Sequence, residues 1–165
     1  MEARQVRRLL SGKIGELLVE LELTARGWHV ERLDGAAKAA NGDLIAISGP
    51  HRVVIQVKTN GTQPDRAYLG HAGNFLERGA AFFNAKTAAI ETDVVVSVIV
   101  TGGHRDAQFY VFTVAEAEHV ARTHASAWYD TPKRNGGVRS ASFPIAPKVD
   151  VLTDYRDRWD KLLLR

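Results

Sequence analysis

The sequence predicts an α/β fold, a central mixed β-sheet flanked by helices, and three stretches carry that expectation. Leu10, Ile14, Leu17, Leu18, Leu21 and Ala25 recur at three and four residues, the spacing of one helical face. Asn41 to Thr59, NGDLIAISGPHRVVIQVKT, reads as two short strands joined by a tight turn at Gly49 and Pro50. Asp93 to Val100, DVVVSVIV, is nearly continuously apolar, as expected of a central strand covered on both faces.

In chain order, a helix is expected from about Ala3 to Arg26 and stops at Gly27, where a left-handed residue is wanted. Trp28 to Leu33 alternates apolar and polar residues and reads as the first strand. Asp34 to Asn41 is a loop of small residues leading to the hairpin. Thr59 to Asn74 has turn residues throughout, so a loop following Lys58 is expected, either a substrate contact or a plain connector. Phe75 to Ile90 is expected to be helical, interrupted by Gly79 and Asn84. Gln108 to Val114, QFYVFTV, follows the apolar strand as a further strand, and Glu116 to Ala125 as another helix. Trp128 to Pro147 is irregular. Tyr155, Trp159, Leu162 and Leu163 form one stripe of a closing helix with Asp154 as its N-cap. The expected order is helix, three strands, helix, then one or two strands. Residues 1–165 are expected to form one domain, with a core over about 3–114 and a helical or irregular extension over about 115–165.

Composition narrows the function classes. The chain is 45% hydrophobic and 25% charged, the balance of a soluble globular protein. It has no cysteine, which excludes disulfide frameworks and thiolate zinc sites. No apolar run approaches the roughly 20 residues of a membrane span, and no signal-peptide core follows the N-terminus, so the cytoplasm is the simplest address. A net charge of +3 is compatible with a nucleic-acid partner without arguing for one alone. Basic residues cluster at Arg4, Arg7, Arg8 and Lys13, and again at Lys133, Arg134 and Arg139 around a Gly-Gly turn. Solvated surface is the bland reading of both clusters; phosphate contact is the sharper one.

The chemistry concentrates in the hairpin. Residues two apart on a strand share a face, so Gln56 and Lys58 project together while Val57 points the other way. Pairing of the two strands brings Asp43 beside them. A carboxylate, an amide carbonyl and an ammonium then share one face. Mg²⁺ takes oxygen ligands and keeps several waters, so a carboxylate and a carbonyl can hold it against a phosphate. A neighbouring lysine can orient or deprotonate an attacking water and offset charge on the phosphorus oxygens. The set suits phosphodiester hydrolysis. Asn60, Gln63, Arg66 and Tyr68 are the polar candidates for substrate contact in the loop that follows. The spacing of His119 and His124 does not align them on one helical face, which argues against a zinc site there.

At Gly42-Asp43 and Ile55-Gln56-Val57-Lys58 the sequence resembles the PD-(D/E)xK nuclease superfamily, in the variant that carries Gln before x-Lys. Gly12-Lys13-Ile14-Gly15-Glu16 is similar to the first-helix glutamate motif of several branches, including Mrr-like restriction enzymes and group I intron homing endonucleases. The resemblance covers Gly12 to Thr59. It implies a restriction-endonuclease-like core of order αβββαβ and a Mg²⁺- or Mn²⁺-dependent DNA endonuclease. Asp43, Gln56 and Glu16 would hold the metal and Lys58 would serve the water. Cutting both strands of a duplex implies a homodimer or higher assembly. Two positions depart from the pattern. Gly42 stands where the superfamily usually has Pro, and Gln56 replaces a carboxylate, which removes one negative charge from the metal site. Gln56 therefore leaves a second reading open, a nuclease-fold domain without catalysis that binds nucleic acid or another protein.

Overall fold

The computed structural model describes residues 3–33, 42–71, 91–100, 106–131, 136 and 143–164, with backbone only for 3–10 and 71. Helix α1 (Ala3–Ala25) precedes strands β1 (His29–Arg32), β2 (Leu44–Ser48) and β3 (His51–Asn60). After the short β4 (Gly70–His71) come β5 (Val94–Ile99), β6 (Gln108–Thr113), helix α2 (Val114–Asp130) and β7 (Pro144–Ile145). Three short 3-10 turns follow, Val149–Val151, Thr153–Tyr155 and Trp159–Leu163. The expected helix from Phe75 to Ile90 lies outside the described residues, as do Lys133 and Arg134.

The main sheet has five strands in the order β1-β2-β3-β5-β6. β1, β2 and β3 run antiparallel to one another, β3 pairs with β5 in parallel, and β5 pairs with β6 antiparallel. This is the mixed sheet the sequence predicts, with β5 buried along its whole length. Gly49, at φ 54°, and Pro50 turn the hairpin between Ser48 and His51, a left-handed position that glycine occupies without steric cost.

Strand alternation divides the interior into two cores. On one face Leu44, Ala46, Val53, Ile55, Val57, Val94, Val96 and Val98 pack against Val19 and Leu23 of α1. On the other, Val95, Ile99, Tyr110 and Phe112 pack against Ala117, Ala121 and Ala125 of α2. Helices therefore cover both faces of the sheet. Three alanines at four-residue spacing let α2 lie close on the strands. The helix starts at a capping box that joins Thr113 and Glu116, with a hydrogen bond in each direction.

Three expectations are corrected. The inward line of α1 is Gly15, Val19 and Leu23, whereas Ile14, Leu17 and Leu21 are 41%, 47% and 66% exposed. The cause is steric: a Cβ at Gly15 would stand 1.9 Å from Thr59 Oγ1, so the helix meets β3 along its smallest side chain. The closing α-helix is replaced by 3-10 turns. Asp157, at φ 53°, breaks any helix between Tyr155 and Trp159, and Asp154 lies inside the turn Thr153–Tyr155 rather than at the cap of a helix. Trp159 and Leu162 are nonetheless buried, while Leu163 is exposed. Finally, the segment after Asn60 is pinned. Ala67 and Leu69 donate their N–H groups to Pro147 and Ile145 at 3.1 and 2.9 Å, and Val149 donates to Asp65 at 2.9 Å. β4 pairs with β7, and Arg66 bridges to Lys148, so a strap from the C-terminal third closes over this segment.

Candidate active site

Asp43 enters β2 between the strands on either side. Its N–H donates to Ile55 O at 2.9 Å and its C=O accepts from Leu33 N–H at 3.0 Å. Its carboxylate accepts the backbone N–H of Val57 at 2.7 Å. Gly42 makes this entry possible, since a Cβ there would lie 2.7 Å from both Leu33 and Val54 side chains. The slot has no room for the proline ring that the sequence resemblance leads one to expect.

Leu44 is registered opposite Ile55, and Asp43, just before it, donates its N–H to the same Ile55 O while its carboxylate reaches along β3 to Val57. Gln56 and Lys58 lie two apart on β3 and share the face opposite to Ile55 and Val57. Gln56 and Lys58 are both half-buried. Burial pushes the Lys58 ammonium below the ordinary lysine value of 10.5, and the charge of the Asp43 carboxylate works in the opposite direction. Beside Lys58 in the sheet is Ser97, fully buried, whose hydroxyl donates to Tyr68 O at 2.9 Å.

Glu16 comes from α1, which covers the other face of the sheet. It is half-buried and adjoins Gly15, the point where the helix touches Thr59, next to Lys58. Asp43, Gln56 and Lys58 are thus drawn together by one hairpin, and Glu16 is carried to the same end of β3 by a separate element.

The residues expected to touch nucleic acid separate into different roles. Asn60 is only 8% exposed and its amide is occupied. Its Oδ1 accepts from Thr62 N–H, Thr62 Oγ1 and Gln63 N–H at 3.0, 3.1 and 3.2 Å. Its Nδ2 donates to Gln63 O and Arg66 O at 3.2 and 2.8 Å. Arg66 is half-buried and donates to Ala146 O at 2.9 Å. Gln63 is exposed. Sequence reasoning missed the internal role of Asn60, although Asn60-Gly61 is a turn-forming pair. It missed the capping box too, which Thr113-Val114-Ala115-Glu116 spells out.

The donor set fits a hard divalent cation. A carboxylate can accept several bonds, so the one from Val57 does not by itself exhaust Asp43, and Gln56 can offer an amide oxygen. Among the described residues no three His, Asp or Glu side chains gather as a metal group. A cation at this hairpin would be held by carboxylate, amide and water.

The protein is thus an α/β domain with a five-stranded mixed sheet and a polar cluster at one hairpin. No family model matches the chain, and no curated protein matches it. Among solved structures it is similar to a bacterial homing endonuclease, I-Ssp6803I, at 18% identity and a TM-score of 0.48, over 93% of this chain and 89% of that one. At that identity and overlap no residue's role follows from the likeness.

Proposed function

We propose that this chain is a metal-dependent endonuclease that hydrolyses phosphodiester bonds in DNA. The observation that carries the reading is the placement of Lys58, with its ammonium destabilised by burial, within reach of the charge of the Asp43 carboxylate, which is anchored on the neighbouring Val57 N–H. A lysine in that condition gives up its proton more readily than an exposed one, so it can orient an attacking water and take a proton from it. Asp43 and Gln56, with water, would hold Mg²⁺ or Mn²⁺, which when bound stabilises negative charge on the phosphoryl oxygens, and Glu16, carried by α1 to the same end of β3, is the candidate for a further carboxylate there. The Val57 N–H fixes the Asp43 carboxylate beforehand, so the site needs little reorganisation. Water, giving a proton to Lys58, would add to phosphorus as the P–O bond to the leaving sugar oxygen breaks, and that oxygen would take a proton from solvent water. A cut through both strands then calls for a second copy of the chain.

The test is incubation with plasmid, single-stranded and branched DNA in Mg²⁺ and in Mn²⁺, beside Lys58→Ala. Cleavage by the parent and none by the variant supports the reading. Equal cleavage by both removes Lys58 from its role.

One observation favours a second reading. Gln56 in place of a carboxylate, with no three-acid cluster among the described residues, suits a nuclease-fold module that binds nucleic acid or protein without cutting. It predicts no thermal shift with Mg²⁺ or Mn²⁺, and DNA binding that weakens with salt if nucleic acid is the partner.

A further inference from the structure

Segment 61–65 leaves β3 three residues after Lys58, and all five of its residues are exposed. Such a tip would ordinarily be loose, but here it is held from inside. The single side chain of Asn60 spends three acceptances and two donations on Thr62, Gln63 and Arg66. Below the tip, Arg66 is tied to Ala146 O, and Asp65 O accepts from Val149 N–H. Asn60 and Lys58 lie two apart on one strand and so share a face. A polar edge of fixed shape therefore stands next to the cluster of Asp43, Gln56 and Lys58.

The chemistry of that edge is selective. Gly61, Thr62, Gln63, Pro64 and Asp65 include no cation, and the Asp65 carboxylate repels phosphate. An amide, a hydroxyl and a carboxylate are instead the groups that pair with base edges: Gln with adenine, Asp with the amino group of cytosine. Resting on the reading of this site as a DNA nuclease, we propose that segment 61–65 reads base edges in duplex DNA beside the scissile bond. Gln63 is the reading side chain and Asn60 the positioning residue that sets it. The segment does not clamp the phosphate backbone.

Three measurements test this on the full chain. Amide hydrogen exchange reads the lock without any DNA: Asn60→Ala removes the acceptor of the Thr62 and Gln63 amides and should raise their exchange at least tenfold. Exchange equal to the parent's overturns the positioning role. Selection from a pool of duplexes with a randomised centre reads the contact. The parent should enrich a preferred sequence, and Gln63→Ala should bind that sequence about ten- to hundredfold more weakly. Salt titration separates base from phosphate contact, because only phosphate contacts contribute to the slope of log affinity against log salt. The slope should be the same for the parent, Gln63→Ala and Asn60→Ala. A reduced slope in Gln63→Ala, or enrichment by that variant identical to the parent's, overturns base reading. A parent that cleaves DNA but enriches no sequence overturns base reading and leaves the nuclease reading standing. A parent that neither binds nor cuts DNA overturns both.

Discussion

The Asp43 carboxylate accepts the backbone N–H of Val57 at 2.7 Å, and the two residues that flank Val57, Gln56 and Lys58, project together from the face of β3 opposite to the Val57 side chain. One hydrogen bond therefore anchors the aspartate to the same strand that presents Gln56 and Lys58. The carboxylate has a structural duty as well as a charge, and the two can be separated by substitution.

Asp43→Asn keeps an acceptor for the Val57 N–H and removes the charge; Asp43→Ala removes both. Asp43→Ala is expected to lose about 1.5–3 kcal/mol of stability, the range for a hydrogen bond to a charged group, and Asp43→Asn distinctly less. Both should lose the thermal shift with Mn²⁺ and all metal-dependent cleavage. Urea unfolding and melting with and without Mn²⁺ check the two effects. Equal stability in the two variants would deny the anchoring role.

Lys58 has a folded-state pKa below its unfolded value of 10.5, because burial outweighs the pull of Asp43. The unfolded chain then holds this proton more tightly than the folded one. The stability cost is fully present below the folded pKa and disappears as pH rises to 10.5 and beyond. Lys58→Met is expected to be more stable than the parent at pH near neutrality, with the difference closing toward the alkaline end. Cleavage should fall by about 10²- to 10⁴-fold, the usual loss of an acid–base group. Denaturation midpoints across the alkaline range test the stability half, and single-turnover rates the other.

Gly12 and Gly15 are three residues apart on α1 but differ in surroundings. Nothing lies within 4 Å of a Cβ at Gly12, whereas one at Gly15 would run into Thr59. Gly12→Ala is expected to stabilise by about 0.5–1 kcal/mol through helix propensity. Gly15→Ala should destabilise by about 1–3 kcal/mol through overpacking, and Thr59→Ala in the same chain should recover part of it. Chemical denaturation of the parent, Gly15→Ala, Thr59→Ala and the double variant completes the double-mutant cycle.

Glu116 links the start of α2 to the C-terminal segment, accepting from Lys161 Nζ at 2.7 Å. Burial tends to raise its pKa, but hydrogen bonds from Lys161 and Thr113 and the Lys161 charge bring it below the ordinary 4.5. Its contribution is therefore present above pH 4.5 and lost as pH falls through the lower folded value. Glu116→Gln leaves the buried Lys161 without its counter-charge and should cost about 1–2 kcal/mol at pH 7, discounted because Glu116 is partly exposed. The gap between parent and variant should shrink below pH 4.5, which acid-range denaturation would show.

The hairpin was legible in the sequence because period-two alternation makes Gln56 and Lys58 share a face, and a tight turn at Gly49-Pro50 returns Asp43 to their end of β3. Gly27 was equally plain, and it adopts φ 84° at the end of α1. The inward line of α1 was not. The helix carries apolar residues on two lines, and only the shape of β3 at Thr59 selects the one through Gly15. The closing helix was misjudged because Tyr155, Trp159 and Leu162 have helical spacing, yet Tyr110 of β6 bridges to Arg156 and draws the chain out of helical register. The part played by Asn60 depends on partners up to six residues away, and residue type alone does not say whether an amide faces inward.

The strap formed by residues 145–149 lies some eighty positions downstream of the segment it closes. During synthesis from the amino end, the hairpin bearing Asp43 and Lys58 leaves the ribosome while that clasp is still being translated. The rim beside the lysine would then acquire its final shape only after Val149 has emerged, which separates the birth of the chemical centre from the completion of whatever it grips.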